Sequence, residues 1–426
     1  MRKLFKNALL VISPEGAEGT GSAEAGVQDG FLSEEGGIIQ SVVVSEANTD
    51  FERILSREET ACDELIDCDG DYLTPGLIDL HCHGALGRDT MEATSEAFDV
   101  ILDYHATRGT TLAALTTVAA SLEELEVVLA AAEEYQKSPD ASRFAGIHLE
   151  GPYFSPLRRG AHRPEMLRHP TPDESARLLC HAGAIARMTL APELPGALEL
   201  IRELVRHGIA ASAGHSEASE EEAKAGFEAG MSQVTHLYNC MSSLRSVGGR
   251  RMTGLTEAAL TNSEILCEVI ADGHHLSPTL LRLAWLCKGW KNLVIVSDAT
   301  AGAGLPEGSR FTLGGLPCGI EERVAWTGEG SERRLAGSIA SLIDGVRVMV
   351  EQAGIPFEQA VAMATLVPAR ALGLQEERGS LQIGKRADLL RISAEWQVRG
   401  VWSSGISVSK KRFCVGELAR GVSSWK

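Results

Sequence analysis

Between about residues 73 and 379, short apolar runs alternate with amphipathic stretches, the pattern of repeated β-α units around a parallel sheet. Strand-like runs lie at residues 76–83, 112–118, 144–150, 186–192, 208–215, 233–238, 266–271 and 293–298. Eight such runs are the number that closes a β/α barrel, so the pattern predicts an α/β chain built on a (β/α)8 TIM-type barrel. An open doubly wound sheet is the alternative, but no Gly-x-Gly-x-x-Gly turn follows its first strand. Helices fill the intervals. Ser121 and Glu124 form a capping box that opens a helix toward Tyr135, and residues 217–230 are rich in Ala and Glu with Gly230 at the end. Strand patterns also occur at 4–12, 37–44, 387–392 and 402–408. Both termini are therefore read as β-rich, with residues 1–73 and 380–426 forming a small discontinuous domain and 74–379 the barrel. Residues 13–35 are rich in Gly, Ala, Ser and Glu without apolar periodicity, and are expected to form a flexible surface loop.

Charge narrows the partners. Against 40 Lys and Arg stand 58 Asp and Glu, a net charge of −18, which repels nucleic-acid phosphates and anionic lipid surfaces. Neither nucleic acid nor membrane is expected as a partner. A charged fraction of 23% with 44% hydrophobic residues excludes a disordered chain. The nine cysteines are scattered and contain no Cys-x-x-Cys pair, which argues against a disulfide framework or a thiolate zinc site and fits a reducing cytoplasm. The basic start, Met1 to Lys6, precedes an apolar run that Pro14 ends too early for a signal peptide, so this stretch reads as a first strand.

Nearly every barrel run ends in a group that binds metal or moves a proton, and those ends form the working face of such a barrel. The first closes on His81 and His83, which point to one face of a strand and suit two ligands on one ion. Taken alone, they are also read as surface histidines past a strand. The third ends in Glu150, a carboxylate that serves a cation or a salt bridge equally well. His215 and His236 lie at the fifth and sixth ends; a single such residue is more often a hydrogen-bonded structural histidine, but repetition at four strand ends is not coincidence. Asp298 follows the eighth run, where capping a helix is its alternative role. Imidazoles and carboxylates without thiolate suit zinc or another divalent first-row metal. Such an ion polarises a carbonyl and acidifies water while a neighbouring carboxylate moves the proton, which is metal-assisted hydrolysis.

These motifs resemble the amidohydrolase superfamily. Those at 148–152, 160–162, 213–216, 235–239, 271–275, 297–300, 335–338, 363–370 and 379–388 resemble, within it, the N-acetylglucosamine-6-phosphate deacetylase family, as an ordered series covering roughly residues 37–410. The resemblance implies a barrel with a small β-sandwich assembled from both termini, and a homodimer. It implies that Glu150, His215 and His236 hold the principal metal, zinc first with iron, cobalt or manganese as alternatives. His81 and His83 would bind a second ion. Asp298 would activate water and then protonate the leaving amine, and His162 would polarise the acetyl carbonyl. Ala161, His162, Asn239, Cys240, Asp272, His275, Leu335, Ala336 and Gly337 match segments that line the amino-sugar phosphate; Cys240 stands where alanine is common and is expected to act through its backbone.

The chain departs from the family after Met241, where a Gly-Arg-Glu-Pro-Gly loop is usual and its arginine grips phosphate, often of the neighbouring subunit. Arg251 aligns best here, with Arg245 and Arg250 as alternatives, and an exposed basic loop is the competing reading. The expected reaction is hydrolysis of N-acetylglucosamine 6-phosphate to glucosamine 6-phosphate and acetate. The alternatives are N-acetylgalactosamine 6-phosphate, an unphosphorylated N-acetyl sugar, or a non-catalytic relative; a cyclic amide is disfavoured because no strand-end lysine is available as a bridging ligand.

Overall fold

The computed structural model describes residues 1–15, 26–45 and 49–408. It divides into two compact units, the first gathering Met1–Asp79, His105–Leu112 and the described residues from Leu342 onward, the second Leu80–Tyr104 and Ala113–Ser341.

Both termini meet in one eight-stranded sheet of the first unit, comprising Arg2–Ile12, Gly26–Glu35, Ile38–Val44, Glu64–Asp67, Tyr72–Pro75, Leu389–Ile392, Val398–Ser403 and Ile406–Ser407. Its core collects Phe5, Leu10, Ile12, Leu32, Val42, Leu73, Leu389 and Trp402, with the Phe5 and Trp402 rings edge-on at 4.8 Å. The loop expected at 13–35 is corrected over its second half: Gly26–Glu35 is a strand, antiparallel to Arg2–Ile12 along its length. Its polar residues are compatible with burial because they are partnered. Glu34, 1% exposed, accepts from Lys3 Nζ at 3.0 Å and from the Gly37 amide at 2.8 Å. Residues 16–25 of that stretch lie outside the described residues, as do 409–426, which include Cys414.

The barrel strands run in chain order: β1 Leu77–Cys82, β2 Thr110–Thr116, β3 Phe144–Glu150, β4 Ile185–Leu190, β5 Ala210–Ala213, β6 Gln233–Val234, β7 Leu266–Ile270 and β8 Leu293–Val296. All six residues of β1 and all seven of β2 are buried, as expected where a parallel sheet is covered on both faces. The ends of β8 and β1 close the circle: the Asp298 amide donates to the His81 carbonyl at 2.9 Å and the His83 amide to the Ala299 carbonyl at 2.7 Å. The predicted sixth strand, 233–238, shortens to two residues because His236 and Tyr238 take φ of 33° and 75° and turn the chain out of line. The Ser121 capping box starts a helix at Leu122–Tyr135 as read from sequence. The second helix covers Glu220–Ala229, since Ser219 caps it; Gly230 ends it in the left-handed region.

After β8 the chain does not enter a helix, so Asp298 caps none. It forms instead a four-stranded antiparallel sheet, Arg310–Leu313, Leu316–Glu321, Val324–Thr327 and Arg334–Leu335, which the sequence reading did not foresee. A short hairpin pairs Arg245–Val247 with Arg250–Met252. Among the described residues no helix is long and apolar enough to cross a membrane, and the described cysteines are free thiols.

Candidate active site

Two clusters of metal-competent side chains form at the C-terminal ends of the strands. Glu150, His215 and His236 make one, His81, His83 and Asp298 the other, and within each the ligand atoms lie within 4.8 Å of one another. Glu150 joins them: its Oε1 lies 3.3 Å from His215 Nε2, 3.2 Å from His236 Nε2 and 3.4 Å from His81 Nε2, while its Oε2 is 3.4 Å from His83 Nε2. Asp298 Oδ1 sits 3.2 Å from His83 Nε2 and 3.4 Å from His81 Nε2. The backbone is bent to achieve this. His215, His236 and Asp298 have φ of 49°, 33° and 48°, values that cost L-residues energy and recur where a fold aims side chains at a functional point.

The donors fit a cation. Nε2 of His215 and His236 face each other at 3.0 Å, and those of His81 and His83 at 3.2 Å. Two neutral imidazole lone pairs repel at that distance unless a proton or a cation stands between them, and ligands on one tetrahedral zinc are themselves about 3.3 Å apart. The outer nitrogens agree. His215 Nδ1 lies 2.8 Å from the Arg158 carbonyl, which can only accept, so Nδ1 carries the hydrogen and Nε2 is left to face the site. His81 Nδ1 lies 3.4 Å from Glu268 Oε2 in the same sense.

Electrostatics show what protons do there without metal. Burial opposes a charge on His83, but Asp298 and Glu150 outweigh it and push its pKa up to about 9. Burial likewise opposes a charge on His215, yet Cys240 and Glu150 lift it to about 10. Asp298 would be raised by burial, and His81 and His83 instead pull it down to about 2. Glu150, equally buried, is held well below the carboxylate range by the surrounding histidines. His162 differs: burial dominates and lowers it to about 4. Its Nδ1 accepts from the Ala119 amide at 3.1 Å, so the hydrogen sits on Nε2, which faces Glu150 Oε2 at 3.4 Å. His162 thus presents a neutral N–H donor to the site.

A cavity of about 250 Å³ opens onto His83, Glu150, His162, His215, His236 and Asp298, and Ala161, Asn239, Cys240, His275, Leu335 and Gly337 complete its lining. Gly160 and Gly337 allow the close fit: a Cβ at Gly160 would stand 2.9 Å from Cys240 Sγ and 3.0 Å from His215 Cε1, and one at Gly337 would stand 2.8 Å from the Asp298 carbonyl. Asp272 does not line the cavity; it fixes His275 through Oδ2 to Nδ1 at 2.8 Å. Ala336 is buried in the apolar cluster with Val118, Phe311 and Ile320. Arg245, Arg250 and Arg251 lie on the exposed hairpin and are not among the cavity's lining residues; Arg245 pairs with Glu217 at 3.0 Å.

Sequence reasoning missed Arg187, Glu268 and Arg334. Arg187 on β4 and Glu268 on β7 form a fully buried ion pair, and Glu268 also accepts from the His236 amide at 3.2 Å. Each interrupts an apolar strand, and that interruption was the available signal. Arg334 lines the cavity from the unforeseen antiparallel sheet.

The amidohydrolase family profile matches residues 72–408. The N-acetylglucosamine-6-phosphate deacetylase of Vibrio furnissii is 36% identical over 335 residues, covering 78% of this chain and 82% of that protein. The N-acetylgalactosamine-6-phosphate deacetylase of Escherichia coli O157:H7 is also 36% identical, over 339 residues, with coverage of 79% and 88%. Among solved structures, the N-acetylglucosamine-6-phosphate deacetylase of Pasteurella multocida superposes with a TM-score of 0.83 at 28% identity, covering 96% of this chain and 99% of that one. An aspartate-to-alanine variant of the Mycobacterium smegmatis enzyme, in complex with N-acetyl-D-glucosamine-6-phosphate, gives 0.82 at 29% identity, with the same coverage. By profile, sequence and fold together, this chain belongs to the amidohydrolase family.

Proposed function

We propose that the chain hydrolyses the N-acetyl group of N-acetylglucosamine 6-phosphate, giving glucosamine 6-phosphate and acetate. The observation that carries this reading is the convergence of Glu150, His215, His236, His83 and Asp298 on one cavity, with His81 buried against them and a neutral His162 donor beside them. Glu150, His215 and His236 would hold the principal divalent ion, zinc by the chemistry of the donor set, and His81 with His83 a second. When bound, the ion would polarise the amide carbonyl and acidify water.

The chain's own groups do the rest. Asp298, ionised at neutral pH, takes a proton from the attacking water and returns it to the amine as the C–N bond breaks. His162 Nε2–H donates to the carbonyl oxygen as negative charge grows there, a contribution that needs no change in its protonation. Asn239 and the Cys240 backbone, His275 braced by Asp272, and Leu335 and Gly337, with Ala336 packed behind them, hold the sugar. The expected assembly is a homodimer.

Acetate release by purified, metal-analysed protein tests the reading, run side by side on N-acetylglucosamine 6-phosphate, N-acetylgalactosamine 6-phosphate and unphosphorylated N-acetylglucosamine. Preference for the first is expected. Preference for the second is the alternative that the E. coli relative's equal identity supports, and it would keep the chemistry while moving the specificity. No turnover with metal bound would reject the reading.

A further inference from the structure

A dianionic substrate needs a cation in its pocket, and this pocket carries a carboxylate on each of Glu150 and Asp298 within a chain of net charge −18. Arg334 is the only Lys or Arg among the described residues that line it. Its Nη1 donates to the Gly160 carbonyl at 3.3 Å. Gly160 in turn lies against Cys240 and His215, so the guanidinium is anchored beside the Asn239–Cys240 side of the cavity.

The Arg334 guanidinium already pairs with a carboxylate, that of Glu332, which is not among the cavity's lining residues. Arg334 Nε donates to the Glu332 carbonyl at 3.1 Å, and its Nη2 donates to Glu332 Oε2 at 2.6 Å. Arg159 Nη2 approaches the same carboxylate oxygen at 3.9 Å, while its Nη1 donates to the His162 carbonyl at 3.3 Å. Two guanidiniums, one anchored on the Gly160 carbonyl and the other on the His162 carbonyl, thus flank one acidic oxygen. Glu332 itself is 71% exposed, and an ion pair so open to water is weak and easily exchanged. Each Nη carries a second N–H, and the guanidinium fork matches phosphate oxygens in a two-point contact.

We propose that Arg334, flanked by Arg159, is the phosphate-recognising cation of this chain, with Glu332 as a built-in competitor that the substrate phosphate displaces. The inference rests on the deacetylase reading above and names the residue that sets its preference for a phosphorylated sugar. It places that role in the pocket's own wall, where the aligned loop would have put it on Arg251.

The test measures kcat and KM for phosphorylated and unphosphorylated N-acetylglucosamine with wild type, Arg334→Ala, Arg334→Lys, Glu332→Gln and Arg251→Ala, each checked for an intact thermal transition. Arg334→Ala should raise KM for the phosphorylated sugar about 10- to 100-fold, the size of a lost charged hydrogen bond, and move KM for the free sugar far less. Arg334→Lys should recover part of the loss, because a point charge remains without the fork. Glu332→Gln should lower KM for the phosphorylated sugar. Equal effects of Arg334→Ala on both sugars overturn the inference, as does a selective loss confined to Arg251→Ala, which would assign phosphate to the hairpin of this or a second copy of the chain. If wild type itself turns over both sugars with equal KM, the phosphorylated-substrate reading fails first, and Arg334 with it.

Discussion

In the proposed mechanism Asp298 and the histidines beside it have separable roles, because a proton carrier and a ligand fail differently. Asp298→Asn keeps the size and the oxygen but cannot hold the proton. Turnover should fall by about 10²- to 10⁴-fold, the usual worth of positioned acid-base catalysis, with metal content unchanged. Metal analysis alongside acetate release checks both halves, and full activity in this variant would refute the assignment. His215→Ala removes a donor whose Nδ1 is already engaged by the Arg158 carbonyl, so nothing nearby replaces it. Metal content should drop together with activity; zinc retained at the wild-type level would show that the ligand set is drawn wrongly. Glu268 is the less visible case. Buried at 1% exposure, it faces His81 Nδ1, accepts from the His236 amide and pairs with the Arg187 guanidinium at once. Glu268→Leu should destabilise the fold by about 3–5 kcal/mol, since it strands a buried charge. Denaturant unfolding gives that number, and a change below 1 kcal/mol would mean that the partners Arg187 keeps, among them Ser212 Oγ and the Leu80 carbonyl, suffice for it.

At the scale of elements, the strand ends were legible and their surroundings less so. Every run that closes the barrel was read within a few residues, because a parallel strand buried on both faces is an apolar run in sequence and β1, β2 and β3 are buried nearly throughout. The same criterion hid Arg187 and Glu268, whose burial is tolerable only through a partner 81 residues away in the chain. It also hid Gly26–Glu35, where Ser33 bonds Ser41 across the sheet and Glu34 bonds Lys3, contacts that no local pattern reveals. Arg334 escaped because its short antiparallel strand follows Gly-rich turns rather than a helix. The helix start is read correctly where its capping box is legible, at Ser121, whereas the sequence reading passes over the cap at Ser219 and begins that helix at Glu217 instead of Glu220. Ser219 accepts from the Glu222 amide at 3.3 Å while Glu222 returns a bond to the Ser219 amide at 2.8 Å, four residues past His215. Ser219→Ala should cost about 1 kcal/mol in urea unfolding and leave metal content untouched. Loss of metal in that variant would show that the cap holds the ligand loop as well as the helix.

For the whole molecule, the site links stability to pH through the protons that its buried histidines and carboxylates share. In the metal-free protein His83 and His215 titrate near 9 and 10, above the ordinary imidazole value of about 6.5. A raised pKa means that folding favours the protonated form, so this stabilisation is complete below about pH 6.5 and is lost as pH rises through 9 and 10. On the acid side the sign reverses: Asp298, lowered to about 2, contributes above the usual carboxylate range and loses its contribution as pH falls toward 2. A divalent ion uses the same nitrogen lone pairs that those protons occupy, so uptake releases protons and apparent affinity rises with pH. The metal-loaded protein should therefore hold its Tm between pH 6.5 and 9 while the chelator-treated protein declines, and the gap between the two should widen with pH. Thermal melts with and without chelator at pH 6.5, 8 and 9 decide this. A gap that stays constant across the series would mean that the imidazoles facing one another across the site are held apart by something other than protons, and the account of metal and proton as interchangeable occupants would have to go.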